Sequence, residues 1–101
     1  MKLLTKEITA KLIEAGYDNE TPICKLFTPW GRATWLLTGM EDGILYGYAD
    51  LGMGCVEWGG IETLEALESI RGQFGLKIER DLYWTPKEGV NYSEKESLIG
   101  A

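Results

Sequence analysis

Histidine is missing from all 101 residues of this chain. Its absence removes the commonest general base, the commonest metal ligand, and any Ser-His or Cys-His nucleophile pair. Cysteine is scarce, and Cys24 and Cys55 alone cannot close a tetrahedral zinc site. Both are predicted to be free thiols serving as small buried hydrophobes. No carboxylate loop pattern for magnesium or calcium is present, so neither a metal nor another cofactor is expected. Long apolar runs are lacking too: a membrane-spanning helix needs about 18 residues, and nothing of that length occurs. Lys6 and Glu7 interrupt "MKLLTKEITAKL" before a secretory core can form. No signal peptide is expected, and a cytoplasmic location is predicted. Finally, bases are absent from the middle of the chain, where residues 33–70 hold seven acids and neither Lys nor Arg. A phosphate backbone is bound by clustered cations, so direct nucleic-acid binding is not expected.

What is present supports one globular core. Apolar residues make up 45% and aromatics 11%, ordinary values for a packed domain rather than a disordered chain. Residues 1–86 are predicted to form a single compact domain. The polar stretch 87–101, "KEGVNYSEKESLIGA", has no clear periodicity and is predicted to be a weakly ordered tail.

Periodicity divides the domain. Thr5 is placed to cap a helix over "KEITAKLIEA", in which Ile8, Leu12 and Ala15 share a face and Gly16 ends the run. From Ile23 to Ile61 the period shortens to that of strands. "ICKLFT", "ATWLLTGM", "ILYGYADL" and "CVEWGGI" are joined by short turns, with Asp42-Gly43 favouring a tight hairpin. Gly47, inside the third strand, is predicted to admit a bulky neighbour. Thr63 caps a second helix expected over Leu64–Arg71, and a last strand is expected over Ile78–Trp84. The predicted fold is α+β: a mainly antiparallel sheet of four to five strands, in the order α-β-β-β-β-α-β, with two short helices.

The glycine-rich run "YGYADLGMGCVEWGG" contains Gly52-x-Gly54 without the third glycine, the following helix or the lysine that phosphate loops use. Gly52 and Gly54 are therefore read as turn residues. Carboxylate pairs could serve a histidine-free enzyme, and Asp50 with Glu57, or Glu79 with Asp81, are the candidates. The preferred reading of Glu79, Arg80 and Asp81 is an ion pair anchoring the last strand, and no catalytic residue is assigned. The aromatics are many for so small a domain, and two readings stand for them: a binding face, or a core that holds them all. The central acids likewise fit either a solvated surface or a face for a basic partner.

The motifs "YADLGMGCVEWGG", "LESIRGQFGL" and "IERDLYW", with the opening "MKLLT", resemble the bacterial domain of unknown function 2958 family over nearly the whole chain to about Pro86. The resemblance rests on a DLGMG turn at Asp50–Gly54, a glutamate-aromatic corner at Glu57–Gly59, an S-x-R-G helix end at Ser69–Gly72 and an E-R-D-L-aromatic strand at Glu79–Tyr83. The chain departs from the family pattern at "VEWGG" and in the tail. The resemblance implies an accessory protein of plasmids, phages or conjugative elements, acting on host defence, replication or transfer. It carries over no catalytic residue.

Together these observations lead to an expected non-catalytic binding protein of a mobile element, engaging a protein partner, basic and nucleic-acid-binding by complementarity. The expected binding set is Tyr46, Tyr48, Asp50, Glu57, Trp58, Glu62, Glu65 and Glu68. The alternative is a protein that sequesters a small molecule or nucleotide, stacking it on Tyr46, Tyr48 and Trp58. A carboxylate enzyme comes third. The oligomeric state is not legible in the chain.

Overall fold

The computed structural model describes residues 2–95, 97 and 98. The Thr5 hydroxyl accepts the Ile8 N–H at 3.1 Å and opens helix α1 (Lys6–Ala15). Gly16, at φ 68°, ends it. Strands β1 (Cys24–Phe27), β2 (Thr34–Glu41), β3 (Ile44–Asp50) and β4 (Glu57–Thr63) follow. β2 turns into β3 through Asp42 and Gly43, both at positive φ, the dihedrals a two-residue hairpin requires. Thr63 then caps α2 (Leu64–Ser69) by accepting from the Ala66 N–H, and a short 3₁₀ turn precedes β5 (Glu79–Arg80). The strands form one antiparallel sheet in the order β4-β3-β2-β1-β5. The fold is α+β with the predicted element order.

Two elements are shorter than their patterns predict. α2 stops at Ser69 rather than Arg71, because Ile70 is extended and Arg71 pairs with Lys77 in an antiparallel bridge. β5 covers only Glu79 and Arg80. The Asp81 N–H still reaches the Lys25 carbonyl, but its carboxylate accepts from the Tyr83 N–H at 3.0 Å and turns the chain off the sheet.

Both faces of the sheet are covered. Leu26, Trp35, Leu37 and Leu45 pack with Leu12 and Leu67 on the helix side. Leu36 and Tyr48 pack on the other side with Tyr92 and Leu98, both from the segment expected to be weakly ordered. Its polar composition concealed these two anchors, each no more than 4% exposed. Residues 96 and 99–101 of the same segment lie outside the described residues.

Gly47 does sit at a close approach, but no bulky side chain is responsible. A Cβ there would stand 2.1 Å from the Leu36 carbonyl oxygen, so the backbone of β2 fills the space.

Candidate functional site: an aromatic row beside the β4 edge

Alternation along β3 sends Tyr46, Tyr48 and Asp50 to the face covered by the tail. The register sets Tyr48 opposite Trp58 and Tyr46 opposite Gly60 on β4. Residue 60 has no side chain, and the Tyr46 ring comes within 3.4 Å of where its Cβ would be. Lying across that gap, Tyr46 approaches Trp58, with ring centroids 6.3 Å apart. On its other side stands Tyr17, at 6.1 Å. Both separations are within the range of favourable ring contacts. Tyr17, Tyr46 and Trp58 thus form a row, its two ends 51% and 41% exposed.

Exposed acids stand on the helix-side face and on α2 rather than against the rings, and Glu68 reaches toward the β5 edge. Glu57 and Glu62 are exposed on β4, and Glu65 and Glu68, three apart and therefore neighbours on the helix surface, are exposed on α2. Beyond β3 the loop bends through Gly52 and Gly54, at φ 83° and 84°. It leaves Leu51 and Met53 exposed next to the strand.

Two members of the expected binding set are interior. Tyr48 is 4% exposed, its ring beside Tyr92 and its hydroxyl donating to the Glu20 carbonyl at 2.9 Å. Burial, then the neighbouring Glu20 and Tyr92, push its phenol up. Asp50 is 1% exposed. Its carboxylate accepts from the Gly52 N–H at 2.8 Å, the Ser97 hydroxyl at 3.0 Å and the Leu98 N–H at 2.9 Å. Burial alone would push this carboxyl up, yet the bonds from Leu98, Gly52 and Ser97 outweigh it and hold Asp50 below the ordinary carboxylate range. Asp50 is a clasp between the end of β3 and the tail, shut away from any substrate.

The other candidates also move. Asp50 and Glu57 point to opposite faces of the sheet, since Ala49, the neighbour of Asp50, is the residue opposite Glu57. Glu79, Arg80 and Asp81 make no ion pair among the described residues. Arg80 donates instead to the Leu3 carbonyl at 2.7 Å, and β5 is held by backbone pairing with β1. Among the described residues no three of the acidic and thiol side chains gather as metal ligands do. Of the cations that a nucleotide would need, Lys77 and Arg80 line, with Lys2, Glu68 and Glu79, a cavity of about 210 Å³ by β5, while Arg32 lies beside Gly52 in the β3–β4 loop. The cavity is at the opposite edge of the sheet from Trp58.

The thiols separate as well. Cys24 is buried, and desolvation, only partly countered by Arg80, pushes it up to about 12. Cys55, expected to be buried, is exposed in the β3–β4 loop. A thiol reagent at pH 8 is therefore expected to label one cysteine in the native protein and two in denaturant. Labelling of Cys24 at the rate of Cys55 would contradict its burial.

Sequence reasoning missed Tyr17, which stands in a stretch read as a loop. The one local signal was its place directly after the helix-ending Gly16, where a loop residue is free to fold back on the sheet.

A family model described as "Protein of unknown function (DUF2958)" matches residues 3–96. The match runs past Pro86 and takes in Tyr92, so part of the segment that packs on the second face of the sheet belongs to the family domain, while Ser97 and Leu98 lie beyond the matched residues. The chain has no match among curated proteins or among solved structures.

Proposed function

The chain belongs to the DUF2958 family, and from that premise we propose that it is a non-catalytic binding protein of a mobile genetic element, holding a basic protein partner on an acidic, aromatic-bearing surface. The supporting observations are the open row of Tyr17, Tyr46 and Trp58, and the exposed acids Glu57 and Glu62 on the same strand as Trp58, with Glu65 and Glu68 on the following helix. Exposed aromatics supply contact area at little entropic cost, and like-signed charge nearby selects a partner of opposite sign and speeds encounter. The complement is a basic, nucleic-acid-binding protein of the host or the element. In a mobile element such a partner fits counter-defence, by occupying the nucleic-acid surface of a host protein.

The nucleotide-sequestering reading is weaker, because it needs rings and cations in one place. Tyr48 is enclosed, and the cluster of Lys2, Lys77 and Arg80 is at the far edge. The carboxylate-enzyme reading loses Asp50 to its clasp.

Affinity capture from the natural host tests the proposal. A basic partner is expected to be retained by the native chain and lost, by about tenfold or more, when Glu62, Glu65 and Glu68 are all changed to Lys. Retention unaffected by this reversal, or an absence of any protein partner, would count against it.

A further inference from the structure

β4 is an edge strand: among the described residues the sheet order places no strand beyond it. Every second N–H and C=O along it faces away from β3, and none of them has a backbone partner among the described residues. Edges are ordinarily shielded by lysine, proline, extreme shortness or a bulge. β4 has seven residues with neither Lys nor Pro. Its protection is a bulge at Ile61, since Tyr46 faces Gly60 while Leu45 faces Glu62. The regular pairing stretch is therefore 57–60.

The two sides of that stretch differ. On the helix side lies a groove of about 240 Å³ with Gly47 and Gly59 in its floor and Ala49, Leu51 and Ile61 along it. A Cβ at Gly59 would meet nothing within 4 Å, so the groove is open to an incoming side chain. On the other side are the rings of Trp58 and Tyr46. A strand laid along β4 would turn alternate side chains to each.

Resting on the binding function proposed above, we infer that β4 takes up an added strand: an extended segment of the basic partner in which apolar residues alternate with Arg or Lys. Basic side chains enter on the groove side, their aliphatic stems along Ala49, Leu51 and Ile61 and their charged ends at Glu57, which lines the groove, and Glu62, opposite Leu45 on the same face. Apolar ones lie over the rings of Trp58 and Tyr46 on the other side. Charge opposes the obvious competitor, a second copy, in the register that would use most of the strand. Two copies of β4 paired antiparallel about Gly59 and Gly60 would set each Glu57 opposite the other's Glu62, and like charges directly opposite destabilise a pair.

The test uses the whole chain with a short alternating Arg-Val peptide. Controls are the same peptide N-methylated on alternate backbone nitrogens, in both registers, and an alternating Glu-Val peptide. The Arg-Val peptide is expected to bind and to slow amide hydrogen exchange at residues 57–60 by about tenfold or more. Methylation in the pairing register should abolish both effects, and E57K with E62K should weaken binding by about tenfold without lowering the melting temperature. Equal binding by the methylated peptides would leave the acidic surface standing and overturn strand addition. Equal binding by the Glu-Val peptide would remove the charge complement. A dimer in sedimentation with protected β4 amides would make a second copy the occupant, against this inference. If no peptide binds, strand addition fails here, while partner capture still decides the proposed function separately.

Discussion

Replacing Asp50 by alanine is expected to lower the melting temperature on the order of 15 °C and to release the carboxy-terminal segment from the sheet. The carboxylate is the single acceptor for three donors, two backbone N–H groups and the Ser97 hydroxyl. Hydrogen bonds to a charged group contribute about 1.5–3 kcal/mol each, and bonds sharing one acceptor do not add. A total near 3 kcal/mol is reasonable for a domain in which each kcal/mol moves the midpoint by about 4–8 °C. Leu98 would also lose its place against Leu36. Thermal unfolding followed by circular dichroism measures the first effect, and limited proteolysis of the tail the second. A midpoint within 3 °C or so of the native one would show that the clasp contributes little.

The pH dependence has a fixed sign. The carboxyl titrates below its ordinary 3.8 in the folded chain, so between those two values the unfolded state binds more protons than the native one. Stability from Asp50 is accordingly complete above about 3.8, and is lost as pH falls through the lower folded value. The native protein should lose stability below pH 4 more steeply than Asp50→Asn, which is already destabilised at pH 7. Parallel curves would place the acid-sensitive group elsewhere.

The second large effect is expected at Gly39. A Cβ there would stand 1.5 Å from the Gly16 carbonyl oxygen, so Gly39→Ala forces the end of α1 off β2. The obstacle is backbone, which cannot rotate aside as a side chain does. The cost should reach the upper end of the roughly 1–3 kcal/mol usual for overpacking. Gly59→Ala is the matched control: same chemical change, same sheet, no neighbour within 4 Å. Urea denaturation should show a large fall in midpoint for the first and a change within about 0.5 kcal/mol for the second. Equal effects would mean that strand propensity, and not the contact with α1, governs both positions.

These two sites also show where the sequence was readable. Local chemistry marked the strands and the hairpin, because Asp42-Gly43 and the alternation of "ILYGYAD" act within a few residues. Thr5, Gly16 and Thr63 capped their helices for the same reason. What stayed hidden depends on partners distant in the chain. Asp50 looked like one more surface acid, since its donors come from Ser97 and Leu98, 47 and 48 positions away. Tyr92 and Leu98 stood alone in a polar stretch, with no period to betray a buried side. Gly60 gave no hint that its missing side chain admits the Tyr46 ring, because that needs the register of β3 against β4. Arg80 suggested an ion pair by proximity in sequence, whereas in space a carbonyl of Leu3 is its acceptor. Of the expected binding residues, Trp58, Glu57, Glu62, Glu65 and Glu68 are exposed, Tyr46 is half-buried, and Tyr48 and Asp50 are enclosed.

Backbone amide shifts of the isotope-labelled chain, mapped as an alternating Arg-Val peptide is added, address the location of binding most directly. The expected result is a contiguous set of perturbed residues comprising Tyr17, Tyr46, Trp58, Gly59 and Glu62, weakened by W58A. Shifts confined to the cavity of Lys2, Lys77 and Arg80, or spread evenly over every acidic position, would contradict a binding surface centred on the aromatic row.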